Sequence, residues 1–170
     1  MFFSVIMLNW FNYYNQTLFF MTQKLLILLF FLGSFLVQSQ GLVWNTDLTN
    51  AIAVSNEERK PLLIFFTASN TPEKLQTEIF NTPDFLNWSN KNVVLVKLDL
   101  SDASASSSVR EQNVSLKNAF GIDELPQACF ATAVTRKGKT NFNSLGKIAY
   151  KSSGVKAWIA ESNAILNPEE

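Results

Sequence analysis

Reactive side chains are scarce in this sequence of 170 residues. It contains a single cysteine, Cys129, and no histidine. Histidine is the side chain that most often serves as general base, pH switch and metal ligand, so its absence removes Ser-His and Cys-His catalysis and most zinc chemistry. One cysteine cannot form an intramolecular disulfide or complete a two-thiol redox cycle. We therefore predict no catalytic site, no metal site and no cofactor.

Carboxylates offer the remaining route to acid–base chemistry. The close acidic pairs in the second half of the chain are Asp99 with Asp102 and Asp123 with Glu124. Hydrolysis by an acidic pair also needs a third group that orients or opposes the two carboxylates, and the sequence supplies none. An alternative role for Asp99, which ends an apolar run, is that of a buried polar anchor.

The overall composition limits the class of protein further. Basic and acidic residues both number 14, so the formal net charge is zero, and no run of basic residues supplies a local field. Binding to nucleic acid or to acidic membranes is therefore not expected. A hydrophobic content of 47% is enough for a chain of this length to enclose the core of one compact domain.

The first forty residues differ in composition from the rest. Residues 1–20 are rich in Phe, Tyr and Asn and carry no charge, so we interpret them as an extra extension or a start codon assigned too early. Residues 21–39 have the order of a signal peptide, with Lys24 in a short polar start, then an apolar block, then the small residue Ser39. We expect residues 40–170 to form the exported domain.

The length of the apolar block bears on the fate of the signal segment. The block runs from Leu25 to Val37 and is shorter than the roughly 20 residues that span a bilayer, so cleavage is the expected outcome. If Phe19 and Phe20 extend the block, the alternative is an uncleaved anchor that tethers the protein to a membrane. No cysteine follows the block, so a lipid anchor is not expected.

After the signal segment, the apolar pattern predicts a βαβ unit. Pro61–Thr67 is a continuous apolar run, and Asn92–Leu100 is rich in β-branched and apolar residues; both patterns are typical of buried strands. Between them lie two pairs of a capping residue and a proline, Thr71-Pro72 and Thr82-Pro83, which predict helix starts. A helical crossover makes the two strands parallel and the unit right-handed.

The flanking segments complete an α/β order. Helices are predicted from Thr46 to Asn56, from Val109 to Phe120 and after Gly154, and strands from Gln127 to Thr135 and from Phe142 to Ile148. The serine-rich stretch Ser101–Ser108 is predicted to be an exposed loop. The resulting order, α-β-α-β-α-β-β-α, corresponds to a four-stranded mixed sheet flanked by helices.

This order of elements resembles the thioredoxin fold, and four stretches resemble sequences of thioredoxin-like proteins exported by bacteria. These are Lys60–Thr67 at the first strand, Glu78–Phe85 after the active-site helix, Val93–Asp99 at the second strand, and Phe120–Pro126, which contains the position of the family's cis-proline. The resemblance extends from about Trp44 to Leu166. It implies a thioredoxin-like fold and a periplasmic or secreted bacterial protein.

The chain departs from the family where redox-active members carry the sequence W-C-x-x-C. In those members a low-pKa thiolate at a helix N-terminus attacks a disulfide, and a second thiol resolves the mixed intermediate. The corresponding stretch here, Ala68–Leu75, contains no cysteine. Dithiol oxidoreductase activity is therefore not expected.

The resemblance also implies a peptide-binding groove. In thioredoxin-like proteins the cis-proline loop offers backbone groups to an extended peptide, and Leu125-Pro126 occupies that position here. The candidate groove combines this loop with the segment Ser69-Asn70-Thr71-Pro72. Two simpler interpretations remain open, in which the segment only caps a helix and the proline only shapes the start of a strand.

Cys129 lies in an apolar alternation, which predicts a buried structural thiol. The alternative is an accessible lone thiol that forms mixed disulfides with partner proteins. Two functions follow: an exported, redox-inactive module that binds proteins or peptides or acts like a chaperone, and a single-cysteine participant in thiol–disulfide exchange. Both imply a protein or peptide partner.

Overall fold

The computed structural model describes residues 23–24, 42–68 and 73–168. The chain divides after Gln40 into two units, and the second unit contains both of the longer ranges. Residues 23–24 of the first unit are helical and exposed, and the rest of the predicted extension and signal segment lies outside the described residues. Within the described ranges, no helix has the length and apolar character needed to cross a membrane.

The described elements follow the predicted order. The helices are α1 (Leu48–Glu58), α2 (Glu73–Leu75), α3 (Pro83–Asn92), α4 (Ser107–Ala119) and α5 (Gly154–Leu166). The strands are β1 (Leu62–Thr67), β2 (Val94–Asp99), β3 (Gln127–Arg136) and β4 (Lys139–Ala149). A π-helical segment, Gln76–Phe80, continues α2.

The four strands form one mixed sheet in the order β2-β1-β3-β4. β1 is parallel to β2, with Leu63 opposite Leu95. β3 is antiparallel to both β1 and β4, and it joins β4 through a tight turn at Lys137 and Gly138, whose φ angles are both positive. The predicted four-stranded mixed sheet with flanking helices is confirmed.

The central strand, β1, separates two hydrophobic cores. All six of its residues are buried, and side chains alternate between the faces of a strand. Leu62, Ile64 and Phe66 pack with α1 and with residues at the end of α4. Leu63 and Phe65 pack with the π-helical segment, α3 and α5 on the other face.

Capping side chains set the helix starts. An oxygen of the Asp47 carboxylate accepts hydrogen bonds from two backbone N–H groups, so α1 begins at Leu48 rather than at Thr46 as predicted. Ser106 caps α4 in the same way, at 3.3 Å from the N–H of Val109. The last residues of the serine-rich stretch are therefore helical, and only its first part is loop.

The helix that follows β1 differs from the regular helix predicted there. The N–H of Asn81 donates to the carbonyl of Gln76 at 2.7 Å, which is an i to i+5 bond. Such bonds define a π-helix, a wider turn that adds one residue to the helical repeat. Ile79 and Phe80, at the end of this turn, are both buried against the sheet.

Candidate functional site

The peptide bond between Leu125 and Pro126 is cis, as predicted. It leads into β3, whose first residue, Gln127, pairs with Phe66 near the end of β1. β1 ends one residue later, shortly before the predicted segment Ser69-Asn70-Thr71-Pro72. The sheet therefore brings the proline loop beside the end of β1. The segment Ser69–Pro72, which follows β1 in the sequence, lies outside the described residues.

A groove of about 440 Å³ lies beside the cis-proline. Leu125 and Pro126, two of the predicted site residues, line it. The remaining lining residues come from the same loop and from the end of β4: Gly121, Asp123, Glu124, Gln127, Lys147, Ala149 and Tyr150. The groove is thus a cleft between the loop that precedes β3 and the strand that returns beside it.

The loop offers unused backbone groups to this groove. Asp123 and Glu124 are exposed and Leu125 is half-buried. Within the described part of the chain, no hydrogen bond engages the backbone N–H or C=O groups of these three residues. Exposed backbone groups of this kind can pair with an extended peptide, in the way that an added strand pairs with a sheet edge.

Two side-chain hydrogen bonds fix the walls of the groove. The ammonium group of Lys147 donates to the carbonyl of Gly121 at 2.7 Å, which ties the loop to β4. The hydroxyl of Tyr150 donates to a carboxylate oxygen of Glu78 at 2.6 Å, which ties the other wall to the π-helical segment. The hydrogen bond to Glu78, with smaller effects from burial and from the carboxylate charge, raises the pKa of Tyr150. Tyr150 therefore stays a donor at neutral pH.

Asp99 and Asp102, one of the acidic pairs found in the sequence, each bind a neighbouring serine. Asp99 is half-buried and accepts hydrogen bonds from the backbone and hydroxyl of Ser101 at 2.9 and 2.6 Å. Asp102 binds Ser104 in the same way, and those hydrogen bonds lower the pKa of its exposed carboxyl. Both carboxylates stabilise turns. Among the described residues, no cluster of three His, Cys, Asp or Glu side chains could hold a metal ion.

Cys129 is fully buried, as the apolar alternation of its strand predicts. It pairs with Ile64 of β1 and belongs to the core shared with α1 and α4. Burial raises the pKa of its thiol to about 12, and the positive charge of Lys147 opposes this rise only in part. The thiol does not line the groove beside Pro126.

The sequence reasoning missed the residues that shape the groove walls. Glu78 and Tyr150 are 72 positions apart in the sequence, so no local motif connects them. Lys147 and Tyr150 flank the end of β4, and the hairpin does place that end beside the start of β3. The predicted β3-β4 hairpin was therefore the one feature of the sequence that could have placed residues of β4 at this wall.

Taken together, the order of the elements, the sheet and the cis-proline define a thioredoxin-like fold. The structure is similar to one described as DsbH Oxidoreductase, with a TM-score of 0.62 and 20% sequence identity over 79% of this chain and 90% of that chain. It is also similar to a thioredoxin from Thermus thermophilus, with a TM-score of 0.55 and 13% identity over 74% of this chain and 88% of that chain.

In sequence, the chain is 34% identical over 92 residues to the thioredoxin-related protein DsbJ of Chlamydia pneumoniae. The match covers 52% of this chain and 26% of DsbJ, so the chain spans about a quarter of the length of that relative. No protein-family model matches the chain. Its single cysteine, Cys129, rules out a Cys-x-x-Cys pair, so this is a thioredoxin-like chain that lacks the dithiol active site.

Proposed function

We propose that this chain is an exported, redox-inactive module that holds an extended segment of a partner protein in the groove beside Pro126. One observation carries the proposal: the groove presents free backbone groups, whereas the single thiol of the chain is buried outside it. A groove separated from the thiol can bind a peptide without exchanging disulfides with it. The predicted signal segment, residues 21–39, supports export to the periplasm or beyond it.

The charges around the groove favour a partner segment with basic side chains. Asp123 and Glu124 are exposed on the loop, and the one cation of the lining, Lys147, is already hydrogen-bonded to a backbone carbonyl. Attraction between exposed charges is screened by salt. Binding in the groove should therefore weaken as the ionic strength rises.

The alternative function is thiol–disulfide exchange through Cys129. The nucleophile in this reaction is the thiolate, and it needs access to the disulfide of the partner. A pKa of about 12 keeps the thiol protonated at neutral pH, and its side chain has no exposed surface. Both properties support the binding module over the exchange reaction.

The proposal is tested by titrating the isotopically labelled protein with reduced and carboxymethylated lysozyme, an unfolded probe without free thiols or disulfides. We expect the amide resonances of residues 121–125, 127 and 149–150 to shift. The resonances of Val109 and Val114, which are exposed on α4, should stay in place. Cys129→Ala should bind the probe as the wild type does, and neither protein should reduce insulin disulfides.

A matched pair of hydroxyl substitutions locates the binding. Tyr150→Phe removes the hydrogen bond to Glu78 that fixes one wall of the groove, a bond that contributes about 0.5–1.5 kcal/mol to the stability of this wall, and it should weaken probe binding by at most about tenfold. Thr140→Val removes a hydroxyl contact with Thr135 at the far end of the same hairpin and should leave binding unchanged. Shifts outside the groove, or loss of binding in Cys129→Ala, would show that the proposal is wrong.

A further inference from the structure

A second pocket, of about 190 Å³, lies at the β2-β1 end of the sheet, away from the β3-β4 hairpin. It is bounded by β1, β2, the π-helical segment and the chain before α1. Its lining residues are Leu42, Trp44, Phe65, Gln76, Phe80, Asn81 and Lys97, and none of them lines the groove beside Pro126. The pocket is therefore a separate site, and it does not depend on the proposed function.

The cation of this pocket, Lys97, has no side-chain partner among the described residues. Lys97 projects from β2 at the position opposite Phe65 and is half-buried. Its ammonium group makes no ion pair, hydrogen bond or ring contact with the described residues. The described residues that line the pocket include no acidic one. A partly desolvated charge without a counter-charge is unfavourable, so an anionic ligand would gain from pairing with it.

One wall of the pocket consists of three aromatic rings in mutual contact. The ring centroids of Trp44 and Phe80 are 5.1 Å apart, those of Phe65 and Phe80 4.9 Å, and those of Trp44 and Phe65 5.8 Å. Two of the contacts are edge-to-face, which fixes the rings against one another. A flat apolar group can lie against such a wall.

The π-helical segment brings two amide side chains to the rim. The backbone N–H of Asn81 donates to the carbonyl of Gln76 at 2.7 Å across the π-turn, and both residues line the pocket. Both are exposed, and neither side-chain amide is hydrogen-bonded within the described ranges. Their NH₂ groups are donors that can bind a carboxylate.

We propose that this pocket binds a small carboxylic acid with a planar apolar body, about the size of benzoate. The carboxylate would pair with Lys97 and accept hydrogen bonds from Gln76 and Asn81, and the body would lie against Trp44. The volume of the pocket suits a ligand of this size, because a cavity of about 150 Å³ holds a benzene ring and this pocket is somewhat larger.

The test is ligand-observed NMR on the purified full-length protein with three probes: benzoate, benzyl alcohol and acetate. Benzoate should bind. Benzyl alcohol keeps the ring without the charge, and acetate keeps the charge without the ring, so each should bind at least tenfold more weakly. Equal binding of benzoate and benzyl alcohol would show that Lys97 does not recognise the ligand.

Two lysine substitutions complete the test. Lys97→Met keeps most of the side-chain packing and removes the charge, and it should weaken benzoate binding at least tenfold. Lys139→Met removes an exposed lysine from the opposite edge of the sheet and should bind as the wild type does. Gln76→Leu, at an exposed position, should weaken binding severalfold even if Lys97→Met proves unstable. Failure of the wild type to bind benzoate, or unchanged binding in both pocket variants, would overturn the proposal.

Discussion

At the scale of single residues, Cys129 shows how burial decides the chemistry of a side chain. The same thiol at a helix N-terminus would be acidic and reactive, whereas here it faces the apolar side chains between the sheet, α1 and α4. The free energy of transferring a thiolate into that core is unfavourable, and the pKa rises to about 12 for this reason. The residue is thus part of the core, and its titration is coupled to folding.

That coupling predicts how stability depends on pH. The ordinary thiol pKa is 9.0, so above about pH 9 the unfolded chain loses a proton that the folded chain retains. The contribution of the protonated thiol to the free energy of unfolding is fully present below this pH and is lost as the pH rises toward 12. We expect the free energy of unfolding of the wild type to fall faster than that of Cys129→Ala, by up to about 1.4 kcal/mol per pH unit.

The measurement is urea unfolding of both proteins at several pH values between about 8 and 10.5. The two proteins share every other titratable group, so the difference between the two curves isolates Cys129. Thiol labelling is the control: the native wild type should resist the reagent and the denatured protein should react completely. Parallel stability curves together with rapid native labelling would contradict the burial of the thiol.

The family resemblance pointed to Pro126, the apolar pattern predicted the burial of Cys129, and neither pointed to Glu78 or Tyr150. Leu125-Pro126 matches the cis-proline position of thioredoxin-like proteins, and Cys129 lies in an apolar alternation. Glu78 and Tyr150 acquire their roles only when α2, the π-helical segment and β4 meet in the fold. Contacts between distant segments leave no periodic signal in the sequence.

At the scale of elements, the β3-β4 hairpin contains an irregularity that moves the groove wall. Ala131 of β3 pairs with Ser144, whereas its neighbour Phe130 pairs with Gly146. Leu145 has no partner in β3 and is therefore an extra residue in β4. A bulge of this kind shifts the register of everything beyond it by one position. As a result Ala149, rather than Ile148, lies opposite Gln127 at the start of β3.

Gly146, directly after the bulge, allows α5 to approach β4. A Cβ atom at this position would lie 2.8 Å from Cγ2 of Ile165 and 3.2 Å from its Cγ1. The branched carbon of isoleucine is held by its χ1 rotamer and cannot swing away easily. We therefore expect Gly146→Ala to lower the free energy of unfolding by about 1–3 kcal/mol, as overpacked cores do.

Chemical denaturation of three variants measures this contact. Ser144→Ala, at an exposed position on the same strand, is the control and should change stability by less than about 0.5 kcal/mol. Adding Ile165→Ala to Gly146→Ala should cost less than the sum of the two single changes, because the larger helix residue is then absent. Additive effects would show that Gly146 and Ile165 do not determine the distance between β4 and α5.

Most of these elements were predictable, but their irregularities were not. The run that forms β1 is continuous and apolar, β2 is mostly β-branched and apolar, and the pairs Thr71-Pro72 and Thr82-Pro83 predicted the helices between them. The π-turn inserts one residue while Leu75, Ile79 and Phe80 keep helical spacing, and the bulge lies in β4, where Ile148 is the one buried residue and the apolar pattern is weak. An insertion that preserves the pattern is invisible to an analysis of periodicity.

At the scale of the whole molecule, one sheet is covered on both faces. The face toward α3 and α5 is aromatic: Trp158 contacts Phe85 at 5.5 Å and Trp88 at 5.7 Å between ring centroids. The indole N–H of Trp88 donates to Asn163 at 2.8 Å, which satisfies the one polar group of that ring. The opposite face is filled by smaller side chains, including Cys129.

Burial on both faces predicts that a charge on either side of the sheet unfolds the domain. Ile64 is fully buried on the α1 side and Leu95 is 5% exposed on the α5 side, so Ile64→Asp and Leu95→Asp each place a carboxylate in an apolar core. An unpaired buried charge costs several kcal/mol, comparable with the whole stability of a domain, about 5–15 kcal/mol. Leu145→Asp, on the exposed bulge, should remain folded. Circular dichroism and thermal unfolding distinguish these outcomes, and a cooperatively folded Ile64→Asp variant would contradict the two-sided core.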